Sequence, residues 1–345
     1  MMKVKKLSRN IGLPRIIITL FFLMLCILSI IMELPADRLF TDVLVRVGMN
    51  GIMVLAMVPA ILCGTGPNFG LPLGIVCGLL GAVLSIELDL TGFSGFFGAI
   101  IIAIPIAIIV GWMYGRLQNA VKGSEMMVAT YTGFSIVSLM CIVWLIIPLN
   151  SDEMVWPIGK GLRVTISLKD RFAKILNDLW DFPLFGLKIP TGLILFFLIM
   201  CFVVWLFFRS KLGIAIKASG DNPKFARASG INIDKNRIIG TILSTVLGAI
   251  GIIVYAQSYG FIQLYQAPLM MAFPAVAAVL IGGASASKAK VSHVLVGTFL
   301  FQGLLTIALP VANSIVKQGQ LSEIARMIVQ NGIILYALTK VDGGE

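Results

Sequence analysis

The feature that most constrains this chain is the regular return of long apolar runs. Ten can be drawn, at residues 16–33, 43–63, 69–87, 93–115, 126–148, 190–208, 238–256, 268–283, 291–310 and 323–339. A helix needs roughly 20 apolar residues to cross the hydrocarbon core of a bilayer, and lipid leaves only helices or closed barrels able to satisfy a spanning backbone. Only 12% of the residues are charged, against roughly 25% in a soluble domain. The expected fold class is therefore all-α: a polytopic integral membrane protein with about ten transmembrane helices in a single domain covering 1–345. The first run reaches Met32 without an A-x-A-like cleavage site, so it is expected to be a retained helix and not a signal peptide. The eighth is short and contains Pro274, which predicts a broken or re-entrant segment.

The net charge is +11. In a soluble protein that excess would suggest nucleic acid, but here the positive residues sort by side of the membrane. With ten crossings and an inner N-terminus, seventeen of the 27 Lys and Arg fall on inner stretches and eight on outer ones. That is the expected asymmetry, and it makes both termini cytoplasmic. Arg46 lies inside a run near its outer end, where its charge is expected to snorkel to the interface. Segments 43–148 and 238–339 each hold four runs around the sixth, a hydropathy echo that suits two internally related halves.

The longest outer stretch, about 150–189, is nearly neutral overall. Within it Phe172, Ile175, Leu176 and Leu179 recur at helical spacing, which predicts an amphipathic helix. Packing against helix ends and a role at the outer mouth both fit that pattern.

The cytoplasmic loop at about 209–237 is the most informative part of the chain. Asp221 or Asn222 can cap a helix, Pro223 suits its first turn and Gly230 its left-handed end. Only about two turns lie between them, too few to be stable alone in water. Such a helix needs a docking partner, with Phe225 as an apolar anchor, Lys224 and Arg227 for charge pairing, and Ala226 small enough for close approach.

The run GIAIKASGDNPKFARASGINIDKNRI resembles the cytoplasmic coupling loop of permeases in ABC importers for simple sugars (ribose, galactose, xylose), nucleosides and branched-chain amino acids. Two further runs are similar to that family: FPAVAAVLIGGASASKAKVSHVLVGTFLFQG, from Phe273 to Gly303, and GRLQNAVKGSEMMVATYTGF, from Gly115 to Phe134. The chain departs from the sugar permeases at GTGPNFGLPLG, from Gly64 to Gly74, which lacks their acidic residue; Gly123 to Glu125 leans towards nucleoside members. The resemblance implies a transmembrane permease for a small polar solute, most consistent with a simple sugar or nucleoside. Its implied partners are ABC ATPase subunits, a second permease subunit, identical or related, and an extracytoplasmic solute-binding protein. It also implies that Asp221, Asn222, Pro223, Lys224, Phe225, Ala226, Arg227 and Gly230 couple to the ATPase.

The residues agree with that division of labour. No GxxxxGK[ST] phosphate loop occurs, so the chain is expected not to be an enzyme and to need no cofactor. Cys26, Cys63, Cys77, Cys141 and Cys201 all lie in apolar runs without metal-ligand spacing and read as small hydrophobes. Asn50, Asn68 and Gln302 are the polar groups best placed to face a solute path, the alternative for each being an interhelical hydrogen bond. Glu125 near Lys122 reads as an interfacial ion pair. An ion-coupled secondary transporter or channel is the alternative function. Proton-driven transport usually needs ionisable groups at midplane, and these runs hold almost none.

Overall fold

A backbone buried in lipid must pair its own amides, and the computed structural model shows all ten apolar runs as helical segments. It describes residues 13–149, 151–156, 159, 161–180, 182–184, 187–315 and 319–342. In chain order the helices are α1 (Leu13–Ile31), α2 (Ala36–Leu55), α3 (Met57–Leu62), α4 (Leu71–Glu87), α5 (Gly92–Ala120), α6 (Glu125–Ile146) and α7 (Thr191–Phe207). There follow α8 (Lys211–Asp221), α9 (Pro223–Ala228), α10 (Ile233–Tyr259), α11 (Ala272–Ile281), α12 (Val291–Ile315) and α13 (Gly319–Asp342). Among the described residues five helical spans are long and apolar enough to cross a membrane, with α2 and α3 counted together; α7 and α8, bent by 78°, make a sixth if taken as one span. The run at 268–283 is divided, as its proline predicts, between a 3-10 turn (Ala267–Met270) and α11.

Small residues decide how closely the central helices approach. A Cβ on Gly74 or Gly78 of α4 would overlap the carbonyl oxygens of Thr245 or Ala249 on α10. On α5, Gly111 and Gly115 meet the Cα atoms of Ile242 and Ile238 of α10, their would-be Cβ positions only 3.0 and 2.9 Å away. Where lipid tails are as apolar as leucine, such backbone-to-backbone packing drives helix association. It makes α10 the axis of the fold, flanked by α4, α5 and α2. Exposed Ile101, Ile109, Leu139, Ile142, Phe202 and Val203 on α5, α6 and α7 form an apolar rim suited to lipid.

Two departures from the sequence expectations concern the 150–189 stretch. The fold is mostly but not wholly helical, because β1 (Thr165–Ser167) pairs antiparallel with β4 (Phe261–Gln263), and β2 (Phe182–Leu184) with β3 (Leu187–Ile189). The predicted amphipathic helix around Phe172 is a series of turns. Lys174 has a φ of 56°, and the N–H groups of Lys174 and Leu176 donate to the backbone and side-chain oxygens of Gln257 at 2.7 and 3.2 Å. Phe172 and Leu176 are buried even so, so their spacing records burial and not helicity. Arg171 pairs with Glu153 at 3.0 Å and with Asp89 after α4, which fastens this stretch across one end of the helices.

Candidate functional site

At the opposite end, α7 stops at Phe207 and the chain turns through α8 and α9 before entering α10. Three side-chain caps build this corner. Ser210 accepts from the Gly213 N–H at 3.2 Å, Asn222 from the Phe225 N–H at 3.1 Å, and Asn232 from the Lys235 N–H at 3.0 Å. Of the two capping candidates, Asn222 therefore caps α9, while Asp221 is the last residue of α8. Pro223 opens α9, and Gly230 beyond its end has a φ of +78° that favours glycine.

Lys224, Phe225 and Arg227 are exposed, as are Asp221, Asn222, Pro223 and Gly230. Phe225 shows 65% of its surface. Ala226 is different: it is wholly buried within the chain, so it seats α9 and does not itself offer a docking surface.

The corner is fastened to the rest of the fold. Gly220 of α8 packs on the Leu62 carbonyl and on Gly64, and Asn236 of α10 donates to Ser219 of α8 at 2.8 Å. Glu125 does form an ion pair, but with Arg237 of α10 and not with Lys122; Lys122 pairs instead with Asp234 at 2.6 Å. Asn119 adds a hydrogen bond to the Asp234 carbonyl at 2.8 Å. The start of α10 is thus tied to the α5–α6 connection and, through α8, to the loop after α3.

Of the three pathway candidates the structure brings two together. Asn50 of α2 and Gln302 of α12 line one cavity of about 210 Å³ at the end of the molecule that carries the 150–189 stretch. Arg46, Tyr255, Tyr259 and Gln330 line it as well. Met49, Met53, Met270 and Met271 supply adaptable apolar wall. The Tyr255 and Tyr259 rings stack with centroids 5.4 Å apart and an interplanar angle of 11°. Arg46 is exposed, in keeping with the expected snorkelling, and it also lines the cavity wall.

Asn68 lies elsewhere. It donates to Ser244 of α10 at 2.7 Å and accepts from Tyr114 of α5 at 3.1 Å, while Ser244 donates to the Ala56 carbonyl at 2.6 Å. This buried network joins four segments, so the helix-to-helix alternative describes Asn68. The tyrosine pair was missed in the sequence, although its i, i+4 spacing at the end of an apolar run was visible there. Among the described residues no group of His, Cys, Asp and Glu is placed to hold a metal.

A mostly helical bundle with an apolar rim, a cavity of mixed polarity at one end and a capped, exposed corner at the other fits a membrane transport subunit. The family described as "Branched-chain amino acid transport system / permease component" matches residues 39–338, and the chain belongs to it. Among its relatives is the autoinducer 2 import system permease protein LsrC of Photorhabdus luminescens, 24% identical over 278 residues, 75% of this chain and 72% of that protein. The probable branched-chain amino acid transport permease LivH of Methanocaldococcus jannaschii is 30% identical over 124 residues, 32% of this chain and 39% of its own. The nucleoside ABC transporter permease NupC of Lactococcus lactis subsp. cremoris is 28% identical over 131 residues, 35% of this chain and 41% of its own. The protein is a permease component of the ABC transporter class.

Proposed function

We propose that this chain forms, as one transmembrane domain over 1–345, the translocation pathway of an importer for a small polar solute, a simple sugar or nucleoside, with α9 as its ATPase-coupling helix. The observation that carries this reading is a single rod with a different device at each end. α10 begins beside the capped α9 and finishes at Tyr255 and Tyr259 in the cavity wall, and its 27 residues span about 40 Å at ~1.5 Å each. ATP-driven closure of a partner ATPase dimer would press on Phe225, Lys224 and Arg227. The ties at Asp234, Asn236 and Arg237 carry that displacement to α5, α6 and α8, and α10 carries it to the cavity. Asn50 and Gln302 contact the solute in this scheme, and the opening and closing of the two ends alternate.

The ten helical segments are read as ten passages through the membrane, with both termini and α9 cytoplasmic. Arg116 over Trp112 and Arg209 over Trp205, each 3.9 Å from the ring centroid, support that orientation, since aromatic and basic side chains collect at the membrane interface and basic ones on its inner side. A second permease subunit and an extracytoplasmic binding protein complete the assembly. The test combines topology with energetics: a single cysteine at Lys224 should label only from the cytoplasmic side, and the purified permease should hydrolyse ATP only when its ATPase subunit is added. Labelling of Lys224→Cys from outside, or robust hydrolysis by the permease free of that subunit, would overturn the reading.

A further inference from the structure

The cavity between α2, α10, α11, α12 and α13 has a one-sided charge that the proposed function does not explain. Of the six polar residues that line it, Arg46 alone carries a formal charge at neutral pH, and no carboxylate among the described residues shares the wall. No ion pair reaches Arg46 among the described residues; Asp42, one turn earlier on α2, is exposed and makes none with it. Gln302 is only 6% exposed, and its carboxamide makes no hydrogen bond among the described residues, its backbone carbonyl alone accepting from Thr306. The wall thus presents a guanidinium, a carboxamide with no hydrogen bond among the described residues and the stacked faces of two tyrosines.

Arg46 is exposed at the cavity wall, and a cation there without an ion-pair partner among the described residues makes the cavity positive and concentrates anions over cations. The same device excludes cations from selective pores. We propose that Arg46 is the charge filter of this cavity, admitting neutral and acidic oxygen-rich solutes with one flat apolar face and rejecting cationic ones. The inference rests on the reading of the cavity as the solute path. Carboxylate, phosphate or hydroxyl oxygens meet the guanidinium and the carboxamides, and the flat face lies on the tyrosine pair.

The test reads the local potential directly and needs no knowledge of the solute. In a version of the full chain without its native cysteines, kept in membrane vesicles, Asn50→Cys and Met270→Cys are each reacted with an anionic sulfonatoethyl and a cationic trimethylammonium-ethyl methanethiosulfonate. Rates are referred to a cysteine at exposed Val164 in the 150–189 stretch. The anionic reagent should be favoured about tenfold at Asn50→Cys. Adding Arg46→Gln should abolish the preference, Arg46→Lys should keep it and Arg46→Glu should invert it. The Val164→Cys rate and the Arg46→Lys variant separate this from a folding defect. Equal relative rates, or a preference that survives Arg46→Gln, would overturn the filter while leaving the solute path intact. If neither reagent reached Asn50→Cys or Met270→Cys, the path itself would fail and the filter with it.

Discussion

Phe225 and Ala226 are neighbours in α9, yet the structure assigns them opposite environments, and that contrast makes the coupling helix testable. Phe225 leaves 65% of its surface exposed. On an aromatic side chain of roughly 200 Å² this is ~130 Å² available to a partner, or ~3 kcal/mol at ~25 cal/mol per Å². Ordering costs on association make that figure a ceiling. At ~1.4 kcal/mol per factor of ten, Phe225→Ala should weaken binding of the ATPase subunit by up to about a hundredfold. Titrating the detergent-solubilised permease with its purified ATPase subunit measures this, with membrane abundance as the control. Abundance should not change, because the side chain packs little against its own chain. Ala226→Asp should act by another route: a charge placed where no surface is exposed unseats α9 itself, lowering thermal stability together with ATPase binding. If Phe225→Ala bound the ATPase within about twofold of the parent, α9 would be a solvated connector and the proposed coupling would lose its anchor.

Two further outcomes follow from the packing. Arg237→Met leaves Glu125 short of its partner in a site where the two side chains are 9% and 17% exposed, which should cost ~3 kcal/mol or more; adding Glu125→Met should recover much of it in thermal unfolding, and silent single changes would show that the pair is effectively solvated. Gly78→Leu drives side-chain atoms into the Ala249 carbonyl and Ile252, so overpacking of at least ~1–3 kcal/mol should reduce the yield of monodisperse protein in size-exclusion chromatography, and normal yield would mean that α4 and α10 can separate without penalty.

Local patterns were legible where the physics is local. Hydropathy located the apolar helical segments, because the period and length of an apolar run depend only on neighbours along the chain, but it did not reveal α8, which lies outside those runs. The cap, proline and glycine around α9 were legible for the same reason. Asp221 and Asn222 differ by one residue, and only the backbone path showed that Asn222 takes the cap. The other failures were failures of distance. The turns around Phe172 replace a helix because Gln257, more than 80 residues away, accepts the N–H groups that a helix would use. Glu125 pairs with Arg237 across 112 positions instead of with its near neighbour Lys122. Asn50, Asn68 and Gln302 were equivalent as polar residues in apolar runs. Tertiary packing then gave Asn68 partners on α10 and α5, while Asn50 and Gln302 came together with Arg46 and two tyrosines at one cavity. The order of apolar and polar residues determines that this chain spans lipid and carries a structured corner between α7 and α10. Which polar groups satisfy one another and which remain free for a solute depends on helix-to-helix register, and small residues far apart in the chain set that register through the close backbone approach they permit.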